Sequence, residues 1–198
     1  MHATQPDAVI LTSDLSRAEQ VALLESETSE LSGKTAAFEV RSGISAASAG
    51  THLLDIADVV RRGADWFMSN IVEDHRDRVL PTPLWWDDSF GTSECPGHPE
   101  WNGEATPFTS WQLRLIDEFQ AWYWLALEAA LPSAKRAVWG GSRSDFRTGR
   151  PALRVGAKAY VDGRVPVYTW SLRLIQGQNL DTRFMLDHFD YALELAGK

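Results

Sequence analysis

The sequence predicts an α+β fold: about four helices, a short antiparallel sheet and a long tryptophan-rich insertion. Three observations carry that expectation. Apolar residues recur at helical spacing behind recognisable caps, two of which are capping boxes. Two alternating segments flank Asp162-Gly163, a dipeptide suited to a tight hairpin turn. Between residues 79 and 108 periodicity fails altogether.

Residues 1–12 carry no pattern and are expected to be a flexible N-terminus, ahead of one α+β domain over 13–198. Ser16 and Glu19 have capping-box spacing before Ala18, Val21, Ala22 and Leu24, which predicts a helix over 14–30. TAAFEVR (35–41) alternates and reads as a strand, and SGISAASAG (42–50) as a small-residue linker. Thr51 is placed to cap a second helix. There Leu53, Ala57, Val60, Ala64, Phe67 and Ile71 recur at spacings of three and four, to about residue 73.

Helical order returns at PFTSWQ, where Thr109 and Gln112 make a second capping box and Phe108 with Leu113 a hydrophobic staple. This helix runs to Leu131 and is stopped by Pro132. Its second half, AWYWLAL (121–127), is apolar all round and is expected to be the buried, central helix.

The segments 152–161 and 164–175 read as a β-hairpin about a type I′ turn at Asp162-Gly163. That turn pairs Val161 with Arg164, Ala157 with Tyr168, Val155 with Trp170 and Leu153 with Leu172. Arg154, Lys158, Thr169 and Ser171 then fall on the solvent face. Asp181 caps a last helix with Leu180 and Met185 as its staple, an inner stripe of Leu186, Phe189, Leu193 and Ala196, and Gly197 as its end.

The insertion at 79–108 holds five of the nine prolines and no lysine or arginine. Thirty residues exceed the roughly 12–15 beyond which a connection is usually either functional or disordered. Trp85, Trp86 and Trp101 argue against disorder, because disordered segments are poor in aromatics. With Asp87, Asp88 and Glu94 they make a candidate partner-binding surface, in which ring faces and carboxylates both favour a basic or cationic protein.

Charge is uneven. Residues 133–154 hold six bases against one acid, a local +5 that leaves −13 on the rest of a chain of net charge −8. Arg143, Arg147 and Arg150 in this stretch form a candidate site for an anionic group, with backbone amides near Gly140-Gly141. An acidic body disfavours general nucleic-acid binding. One cysteine excludes an internal disulfide, and neither a spanning segment nor a signal peptide is legible, so a cytoplasmic protein without membrane contact is expected.

Other motifs are incomplete. Ser32-Gly33-Lys34-Thr35 ends like a phosphate loop, but Thr28 stands where a glycine is needed and the element order is reversed, so it reads as a helix end. Cys95 and His98 sit three apart with His75 upstream, too few ligands to assign a metal; no cofactor motif is present. No nucleophile elbow exists. Asp187-His188 reads as an edge pair on the last helix.

The expected function is therefore a non-enzymatic binding module of the inhibitor, adaptor or immunity type. One alternative is a hydrolase using loop carboxylates (Asp87, Asp88, Glu94, Glu100, Glu104) or a metal held by His75, Cys95 and His98. Another is a self-associating subunit whose acidic insertion docks on a neighbour's arginine loop.

Overall fold

In a computed structural model, residues 15–46, 52–73, 108–141 and 147–197 are described. They form five helices and a small sheet, a mixed and mostly helical α+β arrangement: α1 (Arg17–Ser42), α2 (Leu53–Ile71), α3 (Ser110–Ala130), β1 (Lys135–Val138), β2 (Pro151–Arg154), β3 (Tyr160–Val161), α4 (Arg164–Ile175) and α5 (Arg183–Leu195). The three strands are antiparallel in the order β1-β2-β3. The expected N-terminus at 1–12 and the insertion at 79–107 lie outside the described residues.

Helix α3 starts as its sequence dictates. The Thr109 amide donates to Gln112 Oε1 at 2.9 Å and the Gln112 amide to Thr109 Oγ1 at 3.2 Å. Phe108 and Leu113, the expected staple, are both buried. The helix then has almost no exposed face, and α1, α2, α4 and α5 all pack on it. Phe119 marks the centre, with ring centroids 4.4 Å from Phe67, 5.3 Å from Phe38 and 6.3 Å from Trp170. Burying such side chains stabilises by roughly 1.5–3 kcal/mol each, so this cluster holds the helices together.

Helix α2 follows its spacing, with Ile56, Val59, Val60, Gly63, Ala64, Phe67 and Ile71 inward. Arg61 and Arg62 pair with Asp58 and Asp65 on the outer side. Helix α5 buries Met185, Phe189 and Ala192, and Leu186, Leu193 and Ala196 pack at its edges. Gly197, with φ +73°, ends it.

Two expected elements are corrected. Residues 35–41 are not a strand: α1 continues through them to Ser42, and Gly43, with φ +70°, donates its amide to Glu39 O at 2.8 Å. The alternation of TAAFEVR is outweighed by a longer rhythm. Leu24, Thr28, Leu31, Thr35 and Phe38 recur every four and three residues, and that row faces α3. Gly33 is thus mid-helix, not a helix end, and a Cβ there would meet nothing within 4 Å.

The hairpin over 152–161/164–175 is corrected as well. β2 does pair with β3, Leu153 opposite Val161 and Arg154 opposite Tyr160, but residues 164–175 are helix α4. Gly163 takes φ −81° and ψ −14°, a right-handed conformation in place of the positive φ of a type I′ turn. Asp162 Oδ1 instead accepts the Arg164 amide at 2.7 Å and so caps the new helix. Pro166 sits in the first turn, where its missing N–H leaves no bond unmade. Val167, Trp170, Ser171 and Leu174 point inward, at helical and not at strand spacing.

Two glycines of opposite character test this packing. A Cβ at Gly63 would lie 2.6 Å from Cζ3 of the fully buried Trp122. Gly63→Ala is therefore expected to force α2 from α3 and lower stability by about 1–3 kcal/mol in urea unfolding. Gly33→Ala is expected to raise stability by about 0.5–1 kcal/mol in the same assay, since only helix propensity changes.

Candidate functional site

Helix α3 is enclosed yet carries adjacent acids, Asp117 and Glu118, exposed by only 4% and 0%. Carboxylates so placed must be paired, because an unpaired buried charge costs several kcal/mol. Glu118 is held from both sides: Arg41 Nε donates to Oε2 and Arg114 Nε to Oε1, each at 2.8 Å. The Arg41 guanidinium also lies 4.9 Å over the Trp111 ring. Asp117 faces the opposite way along α1 and accepts from Lys34 Nζ at 3.0 Å, while Lys34 also pairs with Glu30 at 2.7 Å.

Beside Asp117 lies a narrow cleft between the two helices, with about 30 Å³ of space, room for about two waters. From α1 come Leu24, Glu27, Thr28, Leu31 and Lys34, one face of that helix. From α3 come Asp117, Gln120, Ala121 and Trp124, again at spacings of three, one and three. Pro151 of β2 and Arg164, the first residue of α4, close the end. The Arg164 guanidinium pairs with Glu27. Burial works to lower its pKa, but the charges of Glu27 and Asp162, with Asp117 beyond, outweigh this and leave it raised. Gln120 Nε2 donates to Arg164 O at 3.4 Å.

A second polar site lies where α3 meets α5. Tyr123, fully buried, and His188 share a hydrogen bond of 2.8 Å between the phenol oxygen and Nδ1. Burial, with the Asp190 charge, pushes the phenol well above its usual range, so the O–H is retained and donates. His188 Nδ1 must then be the acceptor, which places its proton on Nε2. Burial lowers the His188 pKa to about 4, against a small opposing pull from Asp162. The edge histidine of the sequence is thus a half-buried, neutral partner of the core.

Of the residues singled out in the sequence, Trp85, Trp86, Asp87, Asp88, Glu94, Trp101, Arg143, His75, Cys95 and His98 lie outside the described residues. Arg147 and Arg150 are described. Arg147 lies 4.5 Å over the Trp139 ring, whose other neighbour is Tyr160, with centroids 5.3 Å apart. The Arg150 carbonyl accepts from the Trp139 amide at 2.7 Å, which extends the β1–β2 pairing. Both arginines therefore stand at the end of that strand pair, partly buried.

The expected insertion is bounded by a clamp. Gln112 Nε2, beyond its capping role, donates to the Ile71 carbonyl at 2.9 Å in a buried bond. The last residue of α2 and the first turn of α3 are thereby joined, while Val72 next to them is 54% exposed. The helices on either side of residues 74–107 are thus joined by a direct bond.

The cleft residues Glu27, Lys34, Asp117 and Arg164 escaped the sequence reading. A usable signal existed for the acids: Asp117-Glu118 in a helix otherwise apolar on every side implies pairing. Nothing local marked their partners, which arrive from 83 and 77 residues away. No protein-family model, curated protein or solved structure matches this chain. Among the described residues no helix is long and apolar enough to cross a membrane.

The His188 geometry fixes the sign of a pH effect. Its folded pKa lies below the unfolded value of about 6.5, so the unfolded chain binds the extra proton. Stability from this group is complete above pH 6.5 and is lost as pH falls toward 4. His188→Gln, which keeps an acceptor for Tyr123, is expected to lose about 2 kcal/mol less than the parent between pH 7 and pH 4.5. Parallel stability curves for the two proteins would refute this assignment.

Proposed function

We propose that this chain is a non-enzymatic, cytoplasmic binding module of the inhibitor, adaptor or immunity type. Its partner-binding surface is the acidic aromatic stretch containing Trp85, Trp86, Asp87, Asp88, Glu94 and Trp101. The observation that supports this reading best is the Ile71–Gln112 clamp. It joins the two helices that flank this stretch at one point of a helical frame whose rings are locked together. Joining the flanking helices limits the conformations open to the chain between them, which lowers the entropy lost on binding relative to a free tail.

The charges within the frame support the reading in a second way. Glu118 and Asp117 are occupied by arginine and lysine partners, so their energy goes into holding helices rather than into turnover of a substrate. The partner surface suited to tryptophan rings and carboxylates is basic, and tryptophan and arginine are enriched at interface hot spots. Arg143, Arg147 and Arg150 would meet an anionic patch on the same partner or on a second copy.

The test is affinity capture from the source cells with the parent chain and with the triple variant Trp86→Ala, Asp87→Ala, Asp88→Ala as baits. The expected result is loss of a basic partner, by about tenfold or more, with an unchanged melting temperature. Equal capture by the two baits would overturn the proposal.

A further inference from the structure

The outer face of the sheet carries cations that its neighbours do not neutralise. Lys135 on β1 stands directly opposite Arg154 on β2, and Arg154 opposite Tyr160 on β3, so the three share one face. Leu153 and Val161, the next pair along, belong to the core on the other side. Lys135 and Arg154 are exposed, as is Lys158 in the turn between β2 and β3. Among the described residues none of these three makes an ion pair. Arg136, on the opposite face of β1, is by contrast held by both oxygens of Glu128. Like charges directly opposite one another weaken a strand pair. Lysines on an edge strand guard against stray pairing, which accounts for Lys135. It does not account for Arg154, because β2 is the central strand.

Beside these charges the face is aromatic. Trp139 follows Lys135 and Ala137 along the same side of the strand. Its ring stacks on Tyr160, with centroids 5.3 Å apart, and so reaches across β2, where Ala152 is fully buried. The pair is closely seated. A Cβ on Gly140 would come 3.0 Å from the Tyr160 hydroxyl, and the Arg147 guanidinium lies 4.5 Å over the Trp139 ring. With alanines at 137 and 152, this face offers ammonium, guanidinium, indole N–H and phenol O–H groups, and no carboxylate or amide side chain. A surface of donors and positive charge selects a ligand rich in anionic acceptors.

The rest of the chain limits what that ligand is. Residues outside 133–154 sum to −13, so a long polyanion that overruns the sheet meets repulsion. From Lys135 to Trp139 the strand spans about 13 Å at roughly 3.3 Å per residue, the reach of about four extended residues. A short acidic run in a protein fits that length; a nucleic acid, charged without interruption, does not.

We infer that the outer face of the β1–β2–β3 sheet docks a short acidic segment of a partner protein. Lys135 and Arg154 take its carboxylates, and the Trp139–Tyr160 stack packs against its methylenes. This deepens the anionic-patch part of the proposed function by placing that contact on the sheet, and it uses none of the residues from 79 to 108.

The experiment titrates the ¹⁵N-labelled chain with a blocked tetraglutamate peptide, followed at the Trp139 indole and the Gly140 and Arg154 amides. Saturable shifts are expected there, half-complete on the order of 1 mM or below in low salt. The neutral blocked tetraglutamine peptide is expected to give none. Lys135→Glu places an acid opposite Arg154, so the sheet should be at least as stable while binding drops by about tenfold or more. A loss caused by misfolding is thereby separated from loss of the site. The variant Trp86→Ala, Asp87→Ala, Asp88→Ala should bind the peptide as the parent does, so failure of either surface leaves the other standing. Absence of saturation, equal response to tetraglutamine, or equal binding by Lys135→Glu overturns the site. Tighter binding of an oligothymidylate with four phosphates assigns the face to nucleic acid and overturns the protein partner. Self-association of the parent chain that Lys135→Glu abolishes assigns it to a second copy, and overturns the inference likewise.

Discussion

Because Phe119 stacks on Phe67 at 4.4 Å and lies 5.3 Å from Phe38, α1 and α2 are fixed to one point of α3. Phe38 in turn lies 5.0 Å from Trp122, and Phe67 5.6 Å from Trp170 of α4. Large rings at these distances leave little room for relative sliding, since cores pack as densely as organic crystals. Gly63 belongs to the same constraint: only a residue without a side chain lets α2 approach the Trp122 ring so closely.

Enclosing one helix so fully creates the electrostatic problem from which the polar features follow. A helix covered on every side has no wet face, so its acids cannot be solvated and must find cations on neighbours. Glu118 finds Arg41 and Asp117 finds Lys34, both on α1. That is also why α1 must run as far as Ser42. A strand from residue 35, with its alternating faces, would break the helical row that brings Lys34 and Arg41 to the same helix two turns apart.

How much of this was legible in the sequence depended on whether local and tertiary signals agreed. For α3 they did: capping box, staple and apolar run all named the same helix. For α2 and α5 the apolar spacing named the helix and Gly197 the end of α5, although α5 is capped at Thr182 instead of Asp181 and buries Met185, Phe189 and Ala192 instead of the expected stripe. For residues 164–175 they competed. Tyr168, Trp170 and Leu172 satisfy a strand's period, while Val167, Trp170, Ser171 and Leu174 satisfy a helix's, and both include the same tryptophan. Asp162-Gly163 was then read as a turn although aspartate caps helices as readily, and Pro166 at the third helical position spoke for the cap. Residues 35–41 failed for a related reason: Gly33 in an exposed helix interior looks like an end when only a short window is considered. The cleft was out of reach. Its four charged residues come from three helices, and no spacing rule links positions 27, 34, 117 and 164.

The Ile71–Gln112 bond connects the frame to the acidic aromatic segment more directly than any composition argument. A glutamine that serves only as a capping-box partner needs its oxygen alone, for the Thr109 amide. Here its nitrogen is used as well, on the carbonyl at the end of α2, an acceptor that helix geometry leaves unpaired. One side chain thus terminates one helix and starts the next. The joint between the two helices is therefore buried and hydrogen-bonded. Outside the arginine stretch the chain carries net negative charge, so its long-range field attracts cations and repels anions, while the joint itself is held by a neutral hydrogen bond that this field does not load.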